Sequence, residues 1–215
     1  MQIISHRGYW KAPEEKNSAL AFERSFALGF GTETDFRNDQ GNLIIAHDPP
    51  KSSYEHPGGI LPAEICFRLL AQHDCQLPLA INIKADGLQE SILALLQKYP
   101  IENYFLFDMS VPDAVRSLRA GLRCFTRHSD LEPEPAFYAL AHGVWMDSFE
   151  KNWITVESIR GHLVAEKAVC LVSPELHSRD YLSYWGMLRE SIDLLRHPRL
   201  MLCTDLPEDA VAFFN

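Results

Sequence analysis

Two carboxylates in the short run GTETDF, residues 31 to 36, have a spacing that suits chemistry with a positive charge. Side chains of a β-strand alternate between its two faces, so Glu33 and Asp35 point to the same side. At a separation of ~6.6 Å and an effective dielectric constant of ~20, two such charges repel by roughly 2.5 kcal/mol. On a covered face, a divalent cation with oxygen ligands is the simplest group to offset this repulsion. On a solvent-facing strand the pair would need no partner, so this alternative stays open.

Imidazole, amide and ammonium groups stand at the ends of other apolar runs. His6 ends QIISH and His47 ends LIIAH, and histidine is the side chain that titrates near neutral pH. In LAINIK, Asn82 and Lys84 share one face while two isoleucines occupy the other. Polar groups at the carboxyl ends of parallel strands meet at one mouth of a barrel. The sequence therefore predicts one polar site that contains an acid/base pair and charges of both signs.

Short β-rich runs alternate with longer amphipathic stretches about eight times along the chain, which favours a (β/α)₈ barrel at the compact end of that fold's size range. A doubly wound open sheet is the main alternative, but no Gly-rich phosphate fingerprint follows a strand. No linker or low-complexity tract divides residues 1–215, which we predict to form a single domain. The predicted strands span residues 2–6, 31–36, 43–47, 79–84, 104–109, 123–127, 144–148, 169–173 and 200–205. The predicted helices span residues 17–29, with Asn17 as the cap, 62–73, 88–99, 111–121, 134–143, 155–167, 181–197 and 207–214.

Composition disfavours several classes of partner. The chain has 20 Lys and Arg against 29 Asp and Glu, a formal charge of −9, which repels nucleic acids and anionic membranes on average. The five cysteines are widely spaced without a CxxC pair, which indicates reduced thiols and favours the cytoplasm. The N-terminal sequence is unlike a signal peptide and no apolar run is long enough to span a bilayer, so we expect no stable membrane insertion.

The N-terminal motifs resemble those of the glycerophosphodiester phosphodiesterase family, which belongs to the barrel superfamily that includes phosphatidylinositol-specific phospholipase C. His6-Arg7-Gly8 ends the first strand, and the segment ALAFERSFALGFGTETDFRNDQGNLIIAHD follows in register. The segment TDLP, residues 204 to 207, is similar to the end of the family's last strand. The middle of the chain matches mainly in its alternation of strands and helices.

This resemblance implies roles for individual residues. His6 and His47 would be the acid/base pair, and Glu33 and Asp35 would be ligands of Mg²⁺ or Ca²⁺. Arg7 and Lys84 would bind the phosphate of a small-molecule phosphodiester substrate. In the family, a neighbouring glycerol hydroxyl is thought to attack first, giving a cyclic phosphate that water then opens.

The sequence departs from the family in two places. The family pattern Glu-x-Lys on the third strand is replaced by Asn82-Ile83-Lys84, so a neutral oxygen stands where a third carboxylate ligand is expected. Carboxylates at other strand ends could compensate, with Glu175 the first candidate, followed by Asp108 and Asp147. The segment HDPPKSSYEHPGG, residues 47 to 59, is shorter than the family's glycerol-binding segment, which leaves the substrate alcohol open.

There are three alternatives to a glycerophosphodiester hydrolase. The same machinery could act on another polyol phosphodiester, such as a polymer of glycerol or sugar phosphates. A catalytically impaired barrel could bind phosphorylated ligands without turnover, for which Asn82 is the best argument. A zinc hydrolase is disfavoured because the nine histidines include no closely spaced pair such as HxxxH.

Overall fold

Eight parallel strands close into a barrel in a computed structural model of the chain, which describes residues 1–50 and 60–215. Each barrel strand pairs in parallel with its neighbours. The seam between the strands Tyr104–Phe107 and Phe125–Ser129 has fewer backbone contacts: one parallel bridge joins Leu106 to Cys124, and the Leu106 N–H donates to the Arg123 carbonyl at 2.8 Å. The predicted (β/α)₈ barrel is confirmed. Its strands are β1 (Gln2–His6), β2 (Gly31–Asp39), β5 (Leu79–Ile83), β6 (Tyr104–Phe107), β7 (Phe125–Ser129), β8 (Gly143–Asp147), β9 (Ala168–Val172) and β10 (Leu200–Thr204).

The strand predicted at residues 43–47 belongs to a hairpin instead of the barrel wall. Strand β3 (Asn42–Ile45) pairs antiparallel with the last residues of β2, and β4 (Leu61–Pro62) pairs with β3. The turn residues Gln40 and Gly41 both have positive φ, of 49° and 86°, as the tight turns that match strand twist require. His47 therefore lies beyond the end of β3.

Most predicted helices are present, and three details of the prediction are wrong. The cap of the first helix is Ser18, whose hydroxyl accepts from the Ala21 N–H, and Asn17 stands outside the helix. No helix forms at 134–143, where Phe137 has a φ of 45° that helical backbone excludes. The segment 181–197 is broken at Ser191, which leaves the helical conformation. The helices are α1 (Ala19–Ala27), α2 (Glu64–His73), α3 (Gln89–Lys98), α4 (Val111–Arg119), α5 (Val156–Val164), α6 (Leu182–Arg189), α7 (Ile192–Leu195) and α8 (Pro207–Phe214).

Aromatic side chains fill the barrel interior below its carboxyl-terminal mouth. Phe105 stacks on Phe125 with ring centroids 3.8 Å apart, and Phe107 stacks on Trp145 at 3.9 Å. Two outer apolar clusters lie between the barrel wall and the helices. Because the interior is packed, the polar side chains at the carboxyl ends of the strands are reached from the mouth and not through the barrel.

All five cysteines are free thiols, as predicted. In the described part of the chain, no helix combines the length and hydrophobicity needed to cross a bilayer.

Two histidines, one in β7 and one in α5, form a hydrogen-bonded pair. His128 Nδ1 lies 2.9 Å from His162 Nε2, and the Tyr138 hydroxyl lies 2.8 Å from His162 Nδ1. Burial, and secondly the charge of His128, lowers the pKa of His162 from 6.5 to about 4. A basic group whose pKa falls on folding is neutral in both states above its unfolded pKa, and it destabilises the folded state increasingly as pH falls from the unfolded pKa toward the folded pKa.

We therefore expect wild-type protein to lose about 1 kcal/mol more unfolding free energy than His162→Gln between pH 7.5 and pH 5. Urea unfolding at the two pH values measures this difference, and His197→Gln, outside the pair, is the matched control. Equal acid sensitivity of wild type and His162→Gln would contradict the prediction.

Candidate active site

Strand register brings four of the predicted site residues together at the mouth, namely His6, Glu33, Asp35 and Asn82. His6, the last residue of β1, is the pairing partner of Glu33, and Asp35 is the partner of Asn82 in β5. Partners on adjacent parallel strands project to the same side of the sheet. Glu33 and Asp35 are each only 1% exposed and Asn82 is 7% exposed. The predicted common face of the two acids is confirmed, and it is a buried face.

Asp35 is surrounded by positive and hydrogen-donating groups. Arg7 Nε lies 3.2 Å from Asp35 Oδ2, and Lys84 Nζ lies 3.3 Å from Oδ1. The Asn17 amide donates to Oδ2 at 2.8 Å. Arg7 and Lys84 thus offset the charge of Asp35. The repulsion between the two carboxylates had led us to expect only a divalent cation in this role.

Glu33 is less completely compensated. Its Oε2 accepts the backbone N–H of Arg7 at 3.0 Å and lies 3.9 Å from His6 Nε2. Burial, followed by repulsion from Asp35, raises the pKa of Glu33 to about 7, although His6 and Arg7 act in the opposite direction. A buried carboxyl group with a raised pKa is a place where an added positive charge is favourable.

His6 is oriented by a carboxylate from the other end of the chain. Its Nδ1 lies 2.8 Å from Asp205 Oδ1, just after β10. Burial acts to raise the pKa of Asp205, but the hydrogen bond and charge of His6 bring it below its usual value. Nδ1 is held in this way, and the other ring nitrogen, Nε2, lies 3.9 Å from Glu33 Oε2.

Glu175 stabilises the segment that carries Asp205. Its carboxylate accepts from the hydroxyls of Thr204 and Ser173 and from the Asp205 backbone N–H, the last at 3.2 Å. Both oxygens are therefore engaged in fixing the segment that carries Asp205. These contacts favour a supporting role for Glu175, and its predicted role as a metal ligand stays a prediction.

His47 stands apart from the buried cluster. Its imidazole is 43% exposed and its Nδ1 lies 3.0 Å from Asp48 Oδ1. Arg37 donates to the His47 carbonyl at 2.8 Å and so fixes the backbone of this loop. Residues 51–59, which follow this segment, lie outside the described residues.

The two other candidate carboxylates have partners of their own. Asp108 accepts from Arg127 at 3.2 Å and from the Asn82 amide at 3.3 Å, and burial raises its pKa. Asp147 accepts from His177 at 2.7 Å, and this bond raises the pKa of His177. Both lie at strand ends as predicted.

Asn17 is the main residue of the site that sequence reasoning missed. Besides its bond to Asp35, its Oδ1 accepts from the Thr34 hydroxyl at 2.9 Å and its N–H donates to the Arg7 carbonyl at 2.9 Å. Its φ of 59° is left-handed, a conformation that asparagine tolerates better than most residues. The sequence signal that could have identified Asn17 is its position directly before Ser18, the residue that caps α1.

Positive φ values cluster around the mouth. Arg7, Asn17 and Asp108 have φ of 57°, 59° and 63°, and left-handed backbone at non-glycine residues is enriched at functional sites. Gly8, with φ of 78°, could not carry a side chain because a Cβ would lie 2.8 Å from that of Ala21. The turn after β1 is thus held tightly on α1, which fixes His6 and Arg7.

The donor set at the mouth suits a hard divalent cation. Asp35 Oδ1 and Asn82 Oδ1 are buried without a hydrogen-bond partner, Lys84 being close to Asp35 but not aligned for a hydrogen bond. Unpartnered buried oxygens beside a second carboxylate match the preference of Mg²⁺ and Ca²⁺. Within residues 1–50 and 60–215, no three His, Cys, Asp or Glu side chains are grouped as an ion site. An ion at this position would therefore use the amide oxygen of Asn82 together with the two acids.

Comparison with known proteins identifies similar structures but no sequence match. No family's sequence model matches the chain, and no curated protein sequence matches it. A putative glycerophosphodiester phosphodiesterase from Galdieria sulphuraria superposes with a TM-score of 0.74 at 17% identity, covering 99% of this chain and 97% of that one. A phosphodiesterase from Oleispira antarctica, in complex with the product sn-glycerol-3-phosphate, gives 0.70 at 16% identity, covering 99% and 96%.

A third structure, a glycerophosphodiester phosphodiesterase from Agrobacterium tumefaciens, gives a TM-score of 0.65 at 16% identity, covering 99% of this chain and 98% of that one. At these identities the similarity establishes the fold. It also agrees with the resemblance that the N-terminal motifs indicate.

Proposed function

We propose that the chain is a metal-dependent phosphodiester hydrolase that acts on a glycerophosphodiester or a related polyol phosphodiester. One observation carries the proposal: a carboxylate-anchored imidazole, His6, stands beside two buried acids and two cationic side chains at the mouth of the barrel. Its support is the similarity of the whole fold to structures described as glycerophosphodiester phosphodiesterases.

His6 would move a proton through Nε2 while Asp205 holds Nδ1. The second imidazole would be His47, which completes an acid/base pair across the phosphorus. One histidine would take the proton of the attacking hydroxyl and the other would protonate the leaving alkoxide, work for which a group titrating near neutrality is suited.

Glu33, Asp35 and Asn82 would hold the divalent ion, which supplies positive charge to the phosphate oxygens as negative charge develops in the transition state. Arg7 and Lys84 would bind the remaining phosphate oxygens, the first as a planar fork and the second as a point charge. Placement and positive charge account for most of the chemistry that phosphoryl transfer requires.

An assay of the purified chain tests the proposal directly. Glycerophosphocholine, glycerophosphoethanolamine and bis(p-nitrophenyl) phosphate are each incubated with Mg²⁺, Ca²⁺ or Mn²⁺, and with EDTA. We expect metal-dependent release of alcohol that EDTA and His6→Ala both abolish. Release that is insensitive to EDTA and to His6→Ala would refute the proposal.

A barrel that binds phosphorylated ligands without turnover is the second candidate. Asn82 favours it, because an amide in place of a third carboxylate weakens the hold on a catalytic ion. Binding of sn-glycerol 3-phosphate without hydrolysis of any substrate in the same assay would support this candidate.

The amide at position 82 leads to a measurable prediction. Asn82→Asp adds a negative charge but also loses the amide donor to Asp108, 3.3 Å away. We expect Mg²⁺ to bind about tenfold tighter than to wild type, equivalent to ~1.4 kcal/mol. Isothermal titration calorimetry measures the affinity of both proteins for Mg²⁺, and unchanged or weaker binding by folded Asn82→Asp would show that Asn82 does not face the ion.

A further inference from the structure

The two cationic side chains beside Asp35 are close to it without being fixed to it. Arg7 Nε and Asp35 Oδ1 are buried, lie 3.2 and 3.3 Å from an opposite charge, and yet have no aligned hydrogen bond. The directional bond to this carboxylate comes from the Asn17 amide at 2.8 Å. Asn17 thus holds the position of Asp35, whereas Arg7 and Lys84 mainly balance its charge.

Arg7 and Lys84 are also accessible from the mouth, since their side chains are 22% and 21% exposed. Both are long side chains whose charged ends can move to a new partner while their stems stay packed. They therefore have two competing uses: neutralising Asp35, or binding an incoming anion.

The negative charge of Asp35 is already balanced at this point. Arg7 and Lys84 carry two positive charges beside it, and Glu33, whose pKa is raised to about 7, adds at most one further negative charge. Because Asn82 is neutral, a divalent cation alone would leave an excess of positive charge in a buried place. A phosphate ester alone would draw the two cations away from a buried carboxylate, which is also unfavourable.

We infer, on the premise of the proposed function, that Arg7 and Lys84 make the site take a divalent cation and a phosphate ester as a pair. In the absence of ligands, these two side chains neutralise the charge of Asp35. When a cation occupies Asp35 and the neighbouring Asn82 oxygen, Arg7 and Lys84 turn to the phosphate. Each ligand thereby removes the electrostatic obstacle to the other.

Calorimetric titration of the full chain with Mg²⁺, with and without saturating sn-glycerol 3-phosphate, tests the inference. We expect the Kd for Mg²⁺ to fall at least tenfold when the ester is present. The Kd for the ester should fall by the same factor when Mg²⁺ is present, because coupling between two binding sites is reciprocal.

The decisive variant is Lys84→Met, which keeps the stem and removes the competing charge. Without the ester, this variant should bind Mg²⁺ about three- to tenfold tighter than wild type, and the coupling factor should shrink. Lys98→Met is the matched control, because Lys98 pairs with Glu64 on the outer surface and should change neither quantity. Lys84→Gln, tested in parallel, replaces Lys84→Met should the latter fail to fold.

Equal or weaker binding of Mg²⁺ alone by the folded Lys84 variant would overturn the inference, since a direct contact between metal and phosphate would then explain any coupling. Absence of Mg²⁺ binding with and without ester would also overturn it. Hydrolysis by a wild-type protein without coupling would leave the proposed function standing, whereas coupling without hydrolysis would leave the inference standing and remove the function.

Discussion

Replacing His6 with asparagine is expected to lower kcat for phosphodiester hydrolysis by about a thousandfold, within the range of general acid–base catalysis. Asparagine can still hydrogen-bond to Asp205, which lies 2.8 Å from His6 Nδ1, but it cannot transfer a proton. The loss should therefore appear in kcat, while KM stays within a few fold. Steady-state kinetics on the best substrate of the panel, together with a thermal melt, measure this outcome.

His73→Asn is the matched control for this substitution. His73 lies at the end of α2 and pairs with Glu23 at 2.9 Å, on the outside of the barrel. Its replacement should leave kcat unchanged. If His6→Asn retained more than a tenth of wild-type kcat, His6 would have no part in proton transfer.

Replacing Asp35 with asparagine is expected to have an effect of similar size through a different route. The Asn17 amide can still donate to the new side chain, but Arg7 and Lys84 lose the charge that balances them. We expect kcat/KM to fall by about a thousandfold and the affinity for Mg²⁺ to fall at least about a hundredfold, because a charged ligand of the ion is lost.

The same substitution at Asp39, on the hairpin end of β2, tests whether any carboxylate of this strand would have this effect. Asp39→Asn should leave both quantities unchanged. Mg²⁺ titration distinguishes a role of Asp35 in binding the ion from a role in binding the substrate. An unchanged Mg²⁺ affinity in Asp35→Asn would mean that this carboxylate acts on the substrate and not on the ion.

Much of the fold could be predicted from local patterns. Alternation in GTETDF placed Glu33 and Asp35 on one face, and the contacts that both acids make with Arg7 agree with that placement. The repeated order of strand and helix was sufficient to predict the barrel. These features depend on periodicity along the chain, which a single sequence shows directly.

Other features depended on conformations that propensity does not encode. LIIAH has the composition of a barrel strand, but a turn with two positive φ residues folds it back on β2. Residues 134–143 have helical composition, but a left-handed residue at Phe137 prevents a helix. In both segments the backbone conformation of one or two residues overrides the side-chain pattern.

The predicted site residues were identified from motif and strand position, but their partners come from distant parts of the chain. Asp205 reaches His6 across the closure between β10 and β1. Asn17 reaches Asp35 from the loop before α1. Such contacts form only in the closed barrel. Local spacing in the sequence therefore identifies the charged groups but does not show which of them neutralise one another.

A crystal structure with Mn²⁺ and sn-glycerol 3-phosphate bound would test the central claim most directly. We expect one anomalous peak in bonding contact with oxygens of Glu33, Asp35 and Asn82, and a phosphate flanked by His6 and His47. Arg7 and Lys84 should contact that phosphate. An anomalous peak away from the strand-two acids, or a phosphate that neither imidazole approaches, would contradict the account.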